Sequence, residues 1–469
     1  MRLTAAVFLV VSALVFIRPD PVEAWSSDDR AVAVFGNGGV STYAHGYSVV
    51  VDSSGNIYTT GKFGSAGAGN VTVDFDPGPG TANLTPNGHY DAFVSKLDSS
   101  GNLVWAKSFG GGETEESLSV AVDSSGNVYT TGRFMATVDF DPGAGTEELT
   151  SVGTHDVFVS KLDSSGNYVW AKNFGSVAGM FSFSRGEAVA VDSSDNVYIT
   201  GEFTGTVDFD PGPDTANLTA AHMGNGKTFV LKLDSSGNLV WVKQIGSRTV
   251  NSMALDSSGN VYTTGDFMDT ADFDPGAGTT NLTQNGGGYD AFVSKLDSSG
   301  DLVWAKSFGS SGSQTLYSNS VAVDSSGNVY TTGKLGGTAD FDPGPGTTNL
   351  TSVAGTDVFV SKLDSSGDLV WAANFGGDGT SAERGTSVTV DSSGNAYFTG
   401  EFTGSADFDP GPGTTNLTSV AGTDVFVLKL GSSGDLVWAK SFGNSSGEQV
   451  ESVAVDSSGN VYTTGMIFG

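Results

Sequence analysis

Short runs of alternating apolar and polar residues recur along the chain, and turns rich in serine, glycine and asparagine separate them. Alternation with a period of two predicts β-strands that are buried on one face. Between residues 119 and 175 the pattern predicts strand a over Ser119–Val122, strand b over Val128–Thr131, strand c over Asp156–Leu162 and strand d over Tyr168–Gly175. No segment sustains the 3.6-residue period of a helix, so the protein is predicted to be all-β.

One sequence, Val-Asp-Ser-Ser-Gly-Asn-Val-Tyr-Thr-Thr-Gly, recurs along the chain with small variations. The intervals between its copies are 71, 69, 64, 68, 67 and 65 residues. A nearly fixed period indicates one structural unit that is copied along the chain. The aspartate of the motif falls at Asp52, Asp123, Asp192, Asp256, Asp324, Asp391 and Asp456.

Four short strands in a meander, repeated radially, are typical of a β-propeller, and closure into a ring removes open sheet edges. We predict a seven-bladed β-propeller of four-stranded antiparallel blades, formed by residues 25–469 as one domain with repeats of about 67 residues. The strand a–b pair occurs seven times, but the strand c–d pair occurs only six times. Because Ala31–Gly36 resembles strand d, both termini are expected to close the last blade. That blade should lack strand c, either because it has three strands or because the chain is a shortened version of a longer one.

The first 24 residues are predicted to be a secretory signal peptide. Arg2 supplies a positive start, Leu3–Ile17 is almost entirely apolar, and Val22–Ala24 forms a small-residue cleavage site. The apolar stretch is shorter than the ~20 residues that span a bilayer, which favours a signal peptide over a membrane anchor. We expect a secreted or cell-surface protein, extracellular or periplasmic, with no membrane insertion after cleavage. Since the chain has no cysteine, burial must stabilise it without disulfides.

The chain is strongly acidic, with 52 acidic and 21 basic residues and a formal net charge of −31. Nucleic acid and anionic membranes are disfavoured as partners, because they are negatively charged as well. Divalent cations, basic partners and a salty medium are favoured. The regular spacing of aromatic and β-branched residues is not typical of a disordered chain.

The residues that recur in every unit have a structural interpretation. Asp-Ser-Ser-Gly-Asn suits a tight turn in which the glycine is left-handed and the aspartate accepts hydrogen bonds from nearby amides. One large ring per strand is predicted to fill the core between blades. These rings are Trp105, Trp170, Trp241, Trp304, Trp371 and Trp438 on strand d, Phe93, Phe158, Phe229, Phe292, Phe359 and Phe426 on strand c, and Tyr58, Tyr129, Tyr198, Tyr262, Tyr330 and Tyr397 on strand b.

A second motif, Asp-Phe-Asp-Pro-Gly, occurs six times between strands b and c. Carboxylates at i and i+2 of an extended stretch project to the same side, with the phenylalanine opposite. Two like charges that close together favour a bridging cation, and calcium accepts carboxylate and carbonyl oxygens. The alternative is a solvated Asp-Pro turn whose phenylalanine fills the blade, since the pattern of known calcium loops is absent. The candidate metal ligands are Asp74, Asp76, Asp139, Asp141, Asp208, Asp210, Asp272, Asp274, Asp340, Asp342, Asp407 and Asp409.

Taken together, Asp-x-x-Gly-Asn-x-Tyr-x-Thr-Gly and Asp-x-Phe-Val-x-Lys-Leu resemble the repeats of the bacterial seven-bladed β-propeller family, known as SBBP repeats. The resemblance covers residues 31–469. It implies an exported or cell-surface bacterial protein and no particular molecular function. The turns before the tryptophans are also weakly similar to those of quinoprotein propellers and to the sialidase Asp-box, although the spacing differs from both. The catalytic residues of those two enzyme families cannot be placed on this sequence.

No residue stands out as catalytic. The histidines His45, His89, His155 and His222 occupy different places in the unit, and there is no cysteine nucleophile, zinc spacing or phosphate-binding loop. In an antiparallel meander the a–b and c–d turns lie on one face, and the b–c segments and d–a loops lie on the other. The second face carries the variation between units, for example at 177–185 and 220–227, so we expect any binding there.

Three hypotheses follow. The first is an exported acidic propeller that acts as a monomeric binding or structural scaffold for a protein or glycan, with calcium as a stabilising ion. The second is a carbohydrate-active or quinone-dependent enzyme, which requires a cluster of asymmetric polar residues around the channel on the variable face. The third is a salt-adapted structural protein without a specific ligand.

Overall fold

The computed structural model describes residues 10–17, 30–35, 43–65, 71–176, 183–220, 226–246, 248–310, 315–377, 383–444 and 447–468. These residues form β-strands joined by turns, and none of them lies in a helix. Accordingly, no helix long and apolar enough to cross a membrane occurs within these ranges. The predicted cleavage site at Val22–Ala24 lies outside the described residues.

The strands follow one another in units. Before the first unit come β1 (Val10–Ile17) and β2 (Arg30–Phe35). Unit 1 has β3 (Tyr43–Val51), β4 (Ile57–Gly64), β5 (Val73–Asp74), β6 (Asn83–Leu84), β7 (Tyr90–Leu97) and β8 (Leu103–Gly111). Unit 2 has β9 (Glu116–Val122), β10 (Val128–Phe134), β11 (Thr137–Asp139), β12 (Glu148–Thr150), β13 (Asp156–Leu162) and β14 (Tyr168–Phe174). Unit 3 has β15 (Ser184–Val191), β16 (Val197–Phe203), β17 (Gly205–Asp208), β18 (Asn217–Ala220), β19 (Lys227–Leu233) and β20 (Leu239–Ile245).

The later units continue the same order. Unit 4 has β21 (Thr249–Leu255), β22 (Val261–Phe267), β23 (Thr270–Asp272), β24 (Asn281–Thr283), β25 (Asp290–Leu296) and β26 (Leu302–Ser310). Unit 5 has β27 (Leu316–Val323), β28 (Val329–Asp340), β29 (Asn349–Leu363) and β30 (Leu369–Phe375). Unit 6 has β31 (Arg384–Val390), β32 (Ala396–Asp407), β33 (Asn416–Leu430) and β34 (Leu436–Phe442). The chain ends with β35 (Glu448–Val455) and β36 (Val461–Phe468).

Each unit is an antiparallel meander in which strands a, b, c and d pair in that order. The inner strands β3, β9, β15, β21, β27, β31 and β35 each pack against the next, and β35 packs against β3. The backbone N–H of Val49 closes this cycle, because it donates to Ser452 Oγ at 3.3 Å. The described inner strands therefore form a closed ring, which confirms the all-β propeller class.

The last unit differs from the prediction. Its sheet has the order β2-β1-β36-β35, so both termini contribute to it, as expected. The predicted absence of strand c is wrong, because β1 pairs with β36 from Val10 opposite Phe468 to Ile17 opposite Val461. The pattern had assigned this apolar stretch to the signal peptide. It is also rich in valine, leucine and isoleucine, and a strand edge such as β36 offers unpaired N–H and C=O groups to any extended segment.

The Asp-Ser-Ser-Gly-Asn turns form as predicted. Asp52 Oδ1 accepts hydrogen bonds from the amides of Ser54 and Asn56, and Oδ2 accepts from Asn56 Nδ2 at 2.7 Å and from the Tyr58 hydroxyl at 3.1 Å. Gly55 has a φ of +80°, the left-handed conformation that the turn requires. Although burial by itself raises the pKa of Asp52, the hydrogen bonds from Asn56, Ser54 and Tyr58 outweigh it and lower that pKa. The pKa is lowered in the same way at Asp123, Asp192, Asp256, Asp324 and Asp391, so these aspartates are ionised turn residues.

The tryptophans of strand d join neighbouring units, as predicted. Trp105 Nε1 donates to the carbonyl of Ser164, which lies in the c–d turn of the next unit, at 3.3 Å. Its ring lies 6.4 Å from the ring of Tyr58, edge to face. Both the hydrogen bond and the ring contact recur in the following units, at Trp170, Trp241, Trp304 and Trp371.

Candidate binding surface at the channel mouth

The Asp-Phe-Asp-Pro-Gly segments are hairpins that join neighbouring units. In unit 2, β11 pairs with β12 and also with β8 of the preceding unit, where Val138 lies opposite Gly111. The ring of Phe140 is buried, 5.8 Å from Phe109 of unit 1 and 5.1 Å from Phe158 of its own unit. The predicted filling of the blade by this phenylalanine is confirmed, and the ring also packs between two blades.

The aspartates of these hairpins hold the turn. Asp139 Oδ1 accepts from the amides of Asp141 at 3.0 Å and Glu147 at 2.8 Å, and Asp141 Oδ1 accepts from the amide of Gly143 at 2.7 Å. The same bonds recur in the other five hairpins. Within the described ranges, no three carboxylates or histidines come together as a metal cluster. The twelve candidate ligands lie as six separate pairs, and calcium binding at them stays a prediction.

The face that carries the a–b and c–d turns has cavities at similar positions between blades. One, of about 650 Å³, opens among the turns of units 1 to 3 and is lined by residues that include Asp52, Asp123 and Ser164. Another, of about 420 Å³, lies between unit 6 and the last unit, beside Asp391 and Asp456. Their walls are made of the turn residues that every unit repeats, so neither cavity has a distinctive set of polar groups.

The opposite face is different, because each inner strand carries a β-bulge there. In unit 1, Gly46 pairs with Gly61 and Ser48 pairs with Thr60, so Tyr47 is the extra residue of the bulge. A bulge re-aims a side chain and terminates regular pairing. The bulge residues differ between units: they are Tyr47, Leu118, Glu187, Asn251, Asn319, Thr386 and Glu451.

A layer of cross-strand pairs lies just before the bulges, where strand a begins and strand b ends. In register these pairs are His45/Lys62, Glu116/Arg133, Arg185/Glu202, Thr249/Asp266, Tyr317/Lys334, Arg384/Glu401 and Gln449/Met466. We call these seven pairs, together with the seven bulge residues, the channel belt. It lies on the face of the b–c hairpins and d–a loops, the face where the sequence predicted binding.

Ion pairs link the belt across blades. Glu116 accepts from Lys62 of unit 1 at 2.6 Å and from Arg133 of its own unit at 2.7 Å. His45 Nε2 lies 3.1 Å from Glu451 Oε1, a contact between the first and last inner strands. Arg185 pairs with Glu187. Polar contacts therefore join the belt residues of the last unit, unit 1 and unit 2, whereas the ion pairs of Arg185 and Arg384 lie within units 3 and 6.

The arginines of the belt remain partly exposed, whereas their carboxylate partners are buried. The side chain of Arg384 is 40% exposed and that of Glu401 is 10% exposed, although two N–H groups of Arg384 donate to that carboxylate at 3.0 and 3.2 Å. An arginine has five N–H donors, so this pairing leaves three for other acceptors. A buried carboxylate thus orients each guanidinium and leaves its outer part accessible to solvent.

Two carboxyls of the belt differ in protonation. Burial alone would raise the pKa of Glu116, but hydrogen bonds and charge from Lys62 and Arg133 lower it, so Glu116 is ionised. Burial raises the pKa of Glu187 to about 7, against the opposing charge of Arg185. Glu187 therefore holds a proton at neutral pH far more readily than an ordinary glutamate.

Aromatic rings flank one side of the belt. Arg248, which precedes the belt residue Thr249, is exposed, and its guanidinium lies 5.0 Å from the ring of Tyr289. The ring of Tyr289 lies 5.5 Å from that of Tyr317. Together they form an exposed cation beside two half-buried rings.

Four of the five arginines that follow the predicted signal peptide lie on this surface, and the fifth, Arg30, begins β2. After residue 30 the sequence contains four arginines, and they are Arg133, Arg185, Arg248 and Arg384. With Lys62 and Lys334 they supply six cations, against the six carboxyls Glu116, Glu187, Glu202, Asp266, Glu401 and Glu451. The belt with Arg248 is formally neutral, in a protein whose net charge is −31.

Sequence reasoning missed these residues because it followed what the units share. The available signal was the single variable residue in Thr-Thr-Gly-x-Phe, which is Lys62 in unit 1, Arg133 in unit 2 and Asp266 in unit 4. Of the four histidines, only His45 belongs to the belt, and His222 lies outside the described residues.

Two segments of the chain, residues 240–266 and 303–334, match the family model for the SBBP β-propeller repeat. These matches support the resemblance to that repeat family. Two curated proteins are similar to the chain. The chain is 24% identical over 516 aligned residues to the uncharacterized WD repeat-containing protein L264 of Acanthamoeba polyphaga mimivirus, with 94% of this chain and 36% of that protein covered. It is 27% identical over 184 residues to the regulatory protein FlaEY of Caulobacter vibrioides, with 38% and 18% covered.

The chain therefore spans about a third of the viral relative and about a fifth of the bacterial one. One solved structure similar to it is Sqt1 of Chaetomium thermophilum, with a TM-score of 0.43, 11% identity, and 90% of this chain and 94% of that chain covered. Another is the NanB sialidase of Streptococcus pneumoniae, with a TM-score of 0.37, 9% identity, and 99% and 95% covered. At such identities and scores these likenesses carry no information on function.

Proposed function

We propose that this protein is a binding propeller of the extracellular space that recognises a glycan bearing carboxylate groups through the channel belt. The observation that carries the proposal is the confinement of Arg133, Arg185, Arg248 and Arg384 to that one surface. An acidic protein repels an anionic ligand at long range, so it needs local cations wherever it binds one. Here those cations are arginines, whose planar fork matches a carboxylate with two parallel hydrogen bonds.

The rings beside Arg248 favour a sugar over a simple anion. Tyr289 and Tyr317 are half-buried, so each presents an apolar face and a polar edge. Binding sites commonly combine such faces with a few placed polar groups that fix orientation. A pyranose with a carboxylate would place its ring on a tyrosine and its charge on a guanidinium.

The test is a glycan array followed by calorimetry with the full chain and the Arg248→Gln variant. Arg248 is exposed and no carboxylate lies within ion-pair distance of it among the described residues, so the variant should fold normally. We expect acidic glycans to be retained and Arg248→Gln to weaken binding at least about tenfold, which corresponds to ~1.4 kcal/mol.

The matched control is Lys306→Gln on the outer strand β26. It removes the same charge but lies away from the belt, where its ammonium contacts Asp368 at 3.5 Å. If both variants weakened glycan binding equally, the loss would come from the change in net charge and not from a contact with Arg248. Retention of neutral glycans alone, or of proteins alone, would contradict the proposed ligand class.

A second candidate is a carbohydrate-active enzyme, and the observation that favours it is Glu187. Its pKa is raised to about 7 by burial, and it shares the belt with ionised Glu116. A carboxylic acid that keeps its proton near neutrality can protonate a leaving group. Release of a chromophore from acidic aryl glycosides, abolished by Glu187→Gln, would support catalysis. Unchanged release in that variant would exclude Glu187 as the acid.

Calcium stabilisation and a monomeric state complete the proposal. The Oδ1 atoms of the hairpin aspartates already accept turn amides, so an ion would be held by their Oδ2 atoms and by solvent. Melting of the full chain in millimolar calcium and in EDTA, with the mass measured by light scattering, tests both parts. Identical melting curves in calcium and in EDTA would contradict calcium stabilisation. A mass that increases with protein concentration would contradict the monomeric state.

A further inference from the structure

Three junctions between neighbouring units bury two carboxyl groups each. An aspartate begins the Asp-x-Phe-Val segment of strand c in one unit, and a glutamate lies at or just before the start of strand a in the next unit. All six residues are at most 3% exposed. We call them the junction pairs, and they are Asp91/Glu115, Asp357/Glu383 and Asp424/Glu448.

The main chain brings the two carboxyls together, as the junction of units 1 and 2 shows. The amide of Glu115 donates to the carbonyl of Tyr90, the residue before Asp91, at 2.8 Å. Asp91 packs against Gly110 of β8 so closely that a Cβ there would lie 2.1 and 2.2 Å from its two carboxylate oxygens. The amide of the next residue, Gly111, donates to Glu115 Oε2 at 2.9 Å. Burial, and then the charge of the aspartate, raises the pKa of the glutamate in every junction pair, so the two groups are close neighbours in all three.

Each junction pair keeps one buried carboxyl oxygen that accepts no hydrogen bond in the described part of the chain. These oxygens are Glu115 Oε1, Glu383 Oε2 and Asp424 Oδ1. The amide of Met135 faces Glu115 but does not reach hydrogen-bond geometry. Among the described residues, no lysine or arginine lies within ion-pair distance of any of the six carboxyls. The junction pairs therefore lack both a donor and a balancing charge.

Two ionised carboxylates that lie close together and away from water repel each other and lose their hydration. A proton relieves this in the absence of a metal ion, but it neutralises only one of the two groups. A divalent cation neutralises both and contacts the oxygen that has no donor. The junction pairs thus combine the charge of a cation site with a buried ligand atom that is not used by the protein.

The second carboxyl is not needed to form a junction. Ser184 takes the place of the glutamate between units 2 and 3, and Leu316 takes it between units 4 and 5. Their amides still donate to the carbonyls of the residues before the strand c aspartate, His155 and Tyr289, at 2.9 Å in both cases. The same main-chain bond forms with a hydroxyl, an aliphatic chain or a carboxyl at this position, so packing does not require the three glutamates.

We propose that each junction pair binds one calcium ion, which links strand c of one unit to strand a of the next. Calcium accepts one or two oxygens from a carboxylate, together with main-chain carbonyls and water, in a flexible geometry. The oxygens without a donor are the ligand atoms that the contacts within the protein leave available. None of the six residues belongs to the Asp-Phe-Asp-Pro-Gly hairpins or to the channel belt, so these sites do not depend on the proposed glycan ligand.

The test is calorimetric titration of calcium into the full chain after its metal has been removed with EDTA. Glu115→Gln, Glu383→Gln and Glu448→Gln each replace a carboxyl with an amide of the same size, which resembles the protonated glutamate and should preserve the fold. We expect each single variant to bind one ion fewer per chain than the unmodified chain, and the triple variant to bind three fewer. Calcium should also raise the melting temperature of the unmodified chain more than that of the triple variant, because it binds only the folded state.

The matched control is Asp290→Asn, because Asp290 has the same place in strand c but Leu316 occupies the glutamate position of that junction. This variant should bind as many ions as the unmodified chain. Equal numbers of ions in the unmodified chain and the triple variant would overturn the inference, and so would the loss of an ion in Asp290→Asn. Loss of calcium only in the hairpin variant Asp342→Asn would place the ions at the hairpins and overturn the junction sites. Equal affinity for magnesium would overturn the assignment to calcium.

Discussion

The hairpin phenylalanines should contribute more to stability than any other feature of the b–c segments, and Phe341→Ala tests this directly. Phe341 is fully buried. Its ring stacks 5.3 Å from Phe308 of the preceding unit and lies 5.0 Å from Phe359 of its own unit. Truncation of a buried phenylalanine to alanine costs ~3–5 kcal/mol, a range that includes the cavity left behind. Two ring pairs are lost at once, each worth ~0.5–1.5 kcal/mol, which places the expected loss in the upper half of that range.

The assay is urea denaturation of the full chain, followed by tryptophan fluorescence, with Val353→Ala as the control. Val353 lies in the same unit but is 68% exposed, so its truncation should change the free energy of unfolding by less than ~0.5 kcal/mol. A loss below about 1 kcal/mol for Phe341→Ala would refute the reasoning, because the ring would then not be part of the packed core. A comparable loss in both variants would refute it as well, since burial would not distinguish the two positions.

Three further predictions concern the polar groups. Asp340 Oδ1 accepts hydrogen bonds from the amides of Asp342 and Thr348. In urea titrations Asp340→Asn, which keeps an acceptor, should lower the free energy of unfolding by less than ~1 kcal/mol, and Asp340→Ala should lower it by ~1–3 kcal/mol. If both variants lost the same amount and EDTA lowered the stability of the unmodified chain equally, the aspartate would instead be a calcium ligand. Burial raises the pKa of Glu115 to about 8. The folded state therefore binds the proton of Glu115 more tightly than the unfolded state does. The contribution of this proton to the free energy of unfolding is complete below the ordinary glutamate pKa of 4.5 and is lost as pH rises through 8. Thermal melts should show lower stability at pH 8.5 than at pH 5, Glu115→Gln should reduce the difference, and an unchanged difference would contradict this assignment. Ser320 Oγ accepts from the amide of Val388 in the next inner strand at 3.1 Å, so Ser320→Ala should cost ~1–3 kcal/mol in urea, and no measurable loss would show that this link between units is dispensable.

Much of the fold could be predicted because each strand is read from residues next to one another in sequence. Strand c of unit 2 was predicted over Asp156–Leu162 and has those bounds, while strand b was predicted to end at Thr131 and continues to Phe134. Strand a was predicted to begin at Ser119 but begins at Glu116. The bulge at Leu118 explains the difference, because an extra residue breaks the alternation on which the prediction rested.

What the sequence did not reveal depends on contacts between units. The pairing of β11 with β8 brings together residues about 27 positions apart in different blades, and no local pattern encodes it. The channel belt is assembled from one or two positions of every blade, so its members lie tens of residues apart. Its residues also differ from unit to unit, and a prediction made from the positions that all units share does not include them. The third strand of the last unit was missed for another reason, since the same apolar run satisfies the pattern of a signal peptide and that of a strand.

The position of the belt follows from how the units stabilise one another. The turn aspartates act at one end of each blade, the tryptophans act at the outer strand, and the phenylalanine hairpins join one blade to the next. The serine after each bulge bonds to the next inner strand, and even this link can be lost, because Ala188 takes its place in unit 3. None of these contacts uses the belt side chains. Substitutions at the belt positions change the charge at the channel mouth, while the repeated contacts keep the ring closed. A chain of near-identical blades can therefore acquire an asymmetric binding surface that is restricted to the channel belt.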